Sequence, residues 1–328
     1  MKPVCQPLDR TLSIAPMMEY TDRHYRYLMR IISKHTLLFT EMVTTGAIIH
    51  GDREKLLGFD PLEQSIVAQV GGNDPVELAQ SAQILEDYGY DEVNLNVGCP
   101  SDRVKSGRFG ACLMMSPEIV AEGVEAMKRQ VQIPITVKCR IGVDDCDSYA
   151  ELIRFVQIVA DAGCDALYVH ARKALLSGLS PKENRTIPPL KYDWVYQLKQ
   201  DFPSLPIILN GGVKTLEETK AHLKQVDGVM IGREAYGNPA IFCAADQQLF
   251  QDSTPSLTRL QALQAYLPYI EEKLQQGVPL KHISRHLLGL FKGVKGGKLW
   301  RRHISENAFK PGVGLELIEA AMQALDSD

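Results

Sequence analysis

The sequence predicts an α/β chain: a closed (β/α)8 TIM barrel followed by a C-terminal helical bundle. Three observations carry that reading. Short β-branched runs alternate with helical stretches from residue 13 to 232, at roughly 30 residues per unit, the size of a βαβ crossover in a parallel sheet. Eight such runs occur, the number that closes a barrel. After Ile241 the alternation stops and only helical patterns follow. An open doubly wound sheet would carry a glycine-rich fingerprint directly after its first strand. Here that strand ends in Ala15-Pro16-Met17-Met18-Glu19.

The expected strands are Ser13–Met17, Leu37–Met42, Ile66–Val70, Glu92–Asn96, Ile135–Cys139, Ala166–His170, Ile207–Asn210 and Val229–Ile231. The clearest helices between them are Pro75–Tyr88, Pro117–Gln130, Ser148–Ala162 and Thr215–Lys224. Each opens on a start signal: Asp74 before Pro75, Ser116 before Pro117, Asp147 or Ser148, and Thr215. A barrel sends all its strand ends to one mouth, where its chemistry is done. Those ends read Pro16/Met17, Glu41, Gln69, Asn96 with Cys99, Lys138, His170, Asn210-Gly211-Gly212 and Gly232-Arg233. A ring so polar is hard to explain as packing.

Composition excludes several classes. At 328 residues, 45% hydrophobic and 23% charged, the chain is an ordinary globular sequence with room for one large domain and a smaller one. The N-terminus has no apolar h-region, and no run approaches the length of a membrane span. Seven scattered cysteines without a C-x-x-C pair argue against a disulfide framework or zinc ribbon and for a reducing, cytoplasmic setting. No metal site is expected, since no second His or Cys stands at ligand spacing from His170.

Within the ring, Asn94-Leu95-Asn96-Val97-Gly98-Cys99-Pro100 holds a thiol on a tight turn just past a strand. Asn210-Gly211-Gly212 and Ile231-Gly232-Arg233 end the seventh and eighth strands, where barrels often hold a phosphate on glycine amides and a cation. Lys138 inside a strand is costly unless an anion meets it. Gln69 offers a donor and an acceptor to the edge of a flat heterocycle. Phosphate, lysine, histidine and glutamine around one mouth describe a phosphorylated aromatic cofactor, and FMN fits best.

Seven stretches carry a family resemblance: Ala15-Pro16-Met17, Gln69-Val70-Gly71-Gly72, the run from Asn94 to Pro100, Lys138-Cys139-Arg140, His170-Ala171-Arg172, Asn210-Gly211-Gly212 and Ile231-Gly232-Arg233. Together they resemble the motifs of the tRNA-dihydrouridine synthases, over about residues 13 to 310. The stretches Glu41–Ala47, Gly178–Arg185 and Trp300-Arg301-Arg302 further resemble the bacterial A-type branch. The resemblance implies an FMN enzyme that reduces the C5=C6 bond of tRNA uridines in the D-loop, at positions 20 and 20a, with NADPH as reductant. It implies that Pro16, Met17 and Met18 lie against the flavin and that Gln69 bonds its polar edge. Lys138 and His170 would meet the ring and ribityl region. Asn210, Gly211, Gly212, Gly232 and Arg233 would hold the tail and phosphate. Asn96 would bond the target uracil while hydride passes from the reduced flavin to C6, and Cys99 would deliver a proton to C5 as general acid. That role needs the thiol, not a thiolate.

Gln251–Ser256 reads as a linker, dividing a catalytic domain (residues 1–250) from a helical domain (251–328). Leu257–Gln275, Leu280–Val294 and Leu315–Leu325 are the expected helices, separated by Gly296-Gly297 and Lys310-Pro311-Gly312. Residues 281–310 carry eight cations against Glu306 alone, a local +7 in a chain of net charge −4. Such a concentration is the footprint of a phosphate-backbone partner. Arg301 and Arg302, with Lys182 and Arg185 on the long loop after the sixth strand, are the candidate tRNA contacts. A monomer is expected, since the two-domain layout needs no partner subunit. An FMN barrel acting on a free pyrimidine or dihydroorotate is the alternative, but a free base needs no basic docking surface. A non-enzymatic RNA-binding protein would not need the polar mouth.

Overall fold

The computed structural model describes residues 8–101 and 107–326. Eight strands form one parallel sheet: β1 (Leu12–Ile14), β2 (Leu38–Thr44), β3 (Ile66–Gly71), β4 (Glu92–Val97), β5 (Ile135–Arg140), β6 (Leu167–His170), β7 (Ile207–Asn210) and β8 (Gly228–Ile231). Each pairs with its sequence neighbour, and β1 pairs with β8 through Leu12–Val229, Ser13–Met230 and Ile14–Ile231. Leu37 closes the ring, since its N–H donates to the Leu12 carbonyl and its carbonyl accepts from Ile14, both at 3.0 Å. The sheet is therefore a barrel, as the alternation predicts.

Two apolar layers follow from the period-two geometry of strands. Outward-facing residues such as Val93, Leu95, Val97, Val137 and Leu209 join the helices in one large core. Inward-facing Leu37, Phe39, Val67, Ala166, Tyr168, Ile208 and Met230 form a second cluster within the barrel. The inward side of β3–β5 is instead polar: Gln69, Glu92, Asn94, Asn96 and Thr136 are all buried there.

The expected helices occur at Pro75–Tyr88, Pro117–Gln130, Tyr149–Asp161 and Leu216–His222. Asp74, Ser148 and Thr215 cap their helices with side-chain oxygens, and Ser148 forms a capping box with Glu151. Ser116 occupies the N-cap position but makes no side-chain cap bond, so Pro117 is what sets that start. The first strand stops at Ile14, earlier than expected. Ala15 still donates to Ile231 at 2.9 Å, but Pro16 has no N–H, and residues 17–21 close into a turn through Met17 and Thr21.

Past residue 250 only helices follow: Arg259–Gln275, Leu280–Ser284, Gly297–Asn307 and Glu316–Asp326. The single helix expected over Leu280–Val294 does not form. It ends at Ser284 and continues as a tight turn over Arg285–Leu287, because Gly289 packs against the Tyr236 and Gly237 carbonyls and Gly293 has φ +80°. The Gly296-Gly297 divider instead starts the helix Gly297–Asn307, whose Trp300 and Ile304 are buried. Gly297 must be glycine, as a Cβ there would lie 2.0 Å from the Phe291 carbonyl oxygen.

These helices rest on the barrel helix Arg23–Ile32. Tyr27 and Tyr269 stack at 4.0 Å, and the Tyr266 hydroxyl donates to the His24 carbonyl at 2.8 Å. Asp22, which caps that barrel helix, also receives Arg285 at 2.5 Å and pairs with His286 at 3.0 Å. No helix among the described residues is long and apolar enough to cross a membrane.

Candidate active site at the barrel mouth

The turn after β4 holds Cys99 by its backbone. Asn96 Oδ1 accepts from the N–H of Gly98 at 3.1 Å and of Cys99 at 3.0 Å, while the Cys99 carbonyl accepts from Ala111 at 2.9 Å. The thiol is half-buried, with Sγ 3.4 Å from Ser101 Oγ. Cys139 and Cys164 are buried with their thiols pushed up to about 12 by desolvation, which makes them packing groups. Cys112 points its sulfur at the Phe109 carbonyl.

Asn96 and Gln69 are joined: Asn96 Nδ2 donates to Gln69 Oε1 at 2.8 Å. Lys138 and Asn210 are likewise joined, by Nζ to Oδ1 at 3.1 Å, and Asn210 Nδ2 donates to the Met230 carbonyl at 2.7 Å. Desolvation, with Arg140 adding repulsion, pulls the Lys138 ammonium from 10.5 to about 8. His170 is held well below its ordinary value by burial first, then by Arg140, Lys138, Arg172 and Arg233, so its ring is neutral. Its Nδ1 is buried without a hydrogen-bond partner, as is the Nε of Arg172.

The β7 corner supports close approach. Gly211 and Gly212 have φ of +114° and +81°, and a Cβ on Gly211 would sit 3.2 Å from the His170 ring. Gly232 needs no such conformation, with φ −101° and only the Ala15 Cβ near at 3.6 Å. Exposed Arg233 donates to the Arg185 carbonyl at 2.9 Å, tying this corner to the loop after β6. Pro16 and Met17 are half-buried beside Ala15, whereas Met18 is 52% exposed. Glu41 sits within the register shift of β2, its carboxyl pushed up by burial while it accepts from the Glu19 N–H.

Sequence reasoning named Lys138-Cys139-Arg140 as a motif but gave Arg140 no role. Arg140 is buried, and it donates to three carbonyls: Gly98 at 2.9 Å, Lys173 at 3.1 Å and Asn184 at 3.0 Å. It thus ties the Cys99 turn to the long loop, which Asn184 folds on itself through bonds to Leu175. The available signal was a second cation two residues past Lys138, on the same face of β5.

Lys138, Arg140, Arg172, Arg185 and Arg233 crowd this mouth, and none has a carboxylate ion-pair partner among the described residues. Lys182 is exposed on the loop after β6, at the N-cap of the turn Glu183–Arg185. Arg301 and Arg302 are exposed on the helix Gly297–Asn307. Of the eight cations in residues 281–310, Arg285 pairs with Asp22, Lys292 with Glu234 and Arg302 with Glu306. The effective surface charge is thus smaller than the residue count suggests.

Fold and site together define a (β/α)8 barrel whose mouth gathers cations without carboxylate ion-pair partners among the described residues beside the half-buried Cys99 thiol. The chain belongs to the dihydrouridine synthase family, whose pattern matches residues 13–326. The tRNA-dihydrouridine(20/20a) synthase of Vibrio cholerae is 58% identical over 312 residues, spanning 95% of each chain. That of Shewanella oneidensis is 56% identical over 321 residues, 98% of this chain and 96% of its own. That of Escherichia coli is 55% identical over 312 residues, covering 95% and 94%. A 2-naphthoyl-CoA reductase in complex with 2-naphthoyl-CoA shares the fold alone, with a TM-score of 0.53, 9% identity, and coverage of 72% of this chain and 50% of its own.

Proposed function

We propose that this protein reduces the C5=C6 bond of tRNA uridines at positions 20 and 20a, holding FMN at the barrel mouth and drawing electrons from NADPH. The observation that carries the reading is the orphaned pair at that mouth. His170 Nδ1 and Arg172 Nε are buried without partners in a cluster of cations, and such groups are costly unless a ligand completes them. An anionic, phosphorylated ligand with polar ring edges has the complementary chemistry. The relatives' names supply the substrate and its positions.

Bound FMN would supply the two-electron reduction. The protein's residues do the rest. Asn210, Gly211, Gly212, Gly232 and Arg233 take the tail and phosphate, while His170 meets the ring and ribityl region and Arg172 completes its hydrogen bonds on the same ligand. Lys138 sets a positive charge beside the ring, stabilising negative charge as it develops. Pro16, Met17 and Met18 line the ring's face, and Gln69 bonds its edge. Asn96 orients the uracil, and Cys99 gives its thiol proton to C5. One hydride and one proton are thereby added across C5=C6. Residues 251–328 serve as the tRNA-docking domain, presenting Arg301 and Arg302, while Lys182 and Arg185 flank the mouth. A flipped uridine would enter from that side.

The test is direct. The purified protein should be yellow with flavin absorbance, and total tRNA from a deletion strain should lack dihydrouridine at positions 20 and 20a. Unchanged dihydrouridine at both positions would sink the reading.

A further inference from the structure

Six hydrogen bonds run in series through the barrel interior, from its floor to the Cys99 turn. At the floor, Glu92 is fully buried and ion-paired with Arg10, whose Nε donates at 3.0 Å. Thr136 Oγ1 donates to Glu92 Oε1 at 2.6 Å, and Asn94 Nδ2 donates to Thr136 at 2.9 Å. Gln69 Nε2 then donates to Asn94 Oδ1 at 2.9 Å, and Asn96 Nδ2 to Gln69 Oε1 at 2.8 Å. The series ends where Asn96 Oδ1 accepts the Cys99 N–H at 3.0 Å.

From Thr136 up to the Cys99 N–H all five donors point toward Glu92, and chemistry at both ends requires it. A carboxylate only accepts, so Thr136 must spend its proton on Glu92 and take the Asn94 amide nitrogen in return. That choice turns Asn94 Oδ1 toward Gln69, which must answer with Nε2, and so on up to Asn96. A backbone N–H only donates, so the Cys99 turn demands Asn96 Oδ1 independently. Reversing any one amide would set two donors or two acceptors face to face in a buried site.

We propose that Glu92 is a positioning residue for uridine reduction, fixing through Thr136 and Asn94 the amide orientations of Gln69 and Asn96 and hence the seat of Cys99. The proposal rests on the reductase reading above and deepens it. With Asn96 Oδ1 committed to the turn, its second Nδ2 proton is what remains for the mouth. Asn96 therefore presents a donor, suited to a carbonyl oxygen of the base rather than to an N–H.

The test compares full-length, FMN-loaded Glu92→Gln, Thr136→Val and Thr136→Ser. Thr136→Val cuts the series while sparing the Arg10–Glu92 pair, and Thr136→Ser keeps the hydroxyl. Two readouts are taken: amide hydrogen exchange at Gly98 and Cys99, and single-turnover reoxidation of the NADPH-reduced enzyme by unmodified tRNA. Glu92→Gln and Thr136→Val should each speed the exchange and slow the reoxidation by about tenfold or more, with tRNA affinity unchanged and reduction by NADPH slowed less than the reoxidation, since Gln69 also meets the flavin edge. Thr136→Ser should match the wild type. Wild-type exchange and reoxidation in both disrupted variants would overturn the proposal. So would equal losses in Thr136→Ser and Thr136→Val, or a uniform loss of every activity with the melting temperature, either of which would mark a scaffold role. If the wild-type enzyme is not reoxidised by tRNA at all, the reductase reading fails, while the exchange data still decide whether Glu92 orders the turn.

Discussion

Arg140 Nε donates to the Gly98 carbonyl at 2.9 Å, one residue before Cys99, and the same guanidinium holds the carbonyls of Lys173 and Asn184. The Cys99 turn is thus fastened from two sides. Asn96 takes its N–H groups and Arg140 takes its carbonyl. A proton donor to carbon must sit at a set distance from its target, and this double fastening supplies that constraint.

Arg140→Ala should be costly in stability, since it leaves three carbonyls without their donor at about 1–3 kcal/mol for each that stays buried. Turnover on tRNA should fall further than stability alone explains. Arg140→Lys, with a single point donor in place of the fork, should recover only part of either. Denaturant melts and single-turnover rates check both. A Lys variant equal to wild type would show that the three-way tie is dispensable.

Cys99→Ala should leave the fold and flavin content intact, because the half-buried sulfur's hydrogen bond goes to Ser101 alone among the described residues. Reduction by NADPH should proceed at the normal rate. Reoxidation by tRNA should drop by about 100-fold or more, the usual scale for a lost general acid. Near-normal reoxidation in stopped-flow absorbance would remove Cys99 from the proton-donor role.

Lys138 gives the site a pH dependence of definite sign. Its ammonium, pulled down to about 8 in the ligand-free chain by burial and Arg140, loses its proton well below the ordinary 10.5. Between those values the unfolded chain binds more protons, so the ligand-free protein should gain stability as pH rises. Binding an anion favours the charged form, so FMN affinity should fall over the same window, by at most about tenfold per pH unit. Fluorescence titrations with FMN from pH 7 to 9.5 should show this decline in wild type and a flat profile in Lys138→Met. A decline of equal slope in the variant would assign the titration to another group.

Arg301 and Arg302 should not be equivalent. Arg302 Nε already bonds Glu306 at 2.9 Å, whereas no ion pair is recorded for Arg301 among the described residues. Arg301→Glu should weaken tRNA binding more than Arg302→Glu, and each lost phosphate contact should lower the salt slope by about 1. NADPH oxidation should be untouched. Filter binding across a salt series measures both effects, and equal losses would mean that Glu306 releases Arg302 on binding.

Sequence alone determined the eight-strand order, the mouth it implies and most of its ring, because strand ends and turn residues are local signals. Glu92, Asn94 and Asn96 alternate with Val93, Leu95 and Val97, so their common face was legible too. That the polar face turns into the barrel and the apolar face out to the helices is decided only by closure of the sheet. The same holds for Arg140 and Arg302. Each reads as one more cation in the chain, and only contacts from Asn184, Gly98 or Glu306 make one a clasp and the other half-neutralised. Local chemistry writes which groups are available. Distances between residues far apart in sequence, from Arg10 to Glu92 and from Arg140 to Gly98, arise only when the barrel brings the strands together.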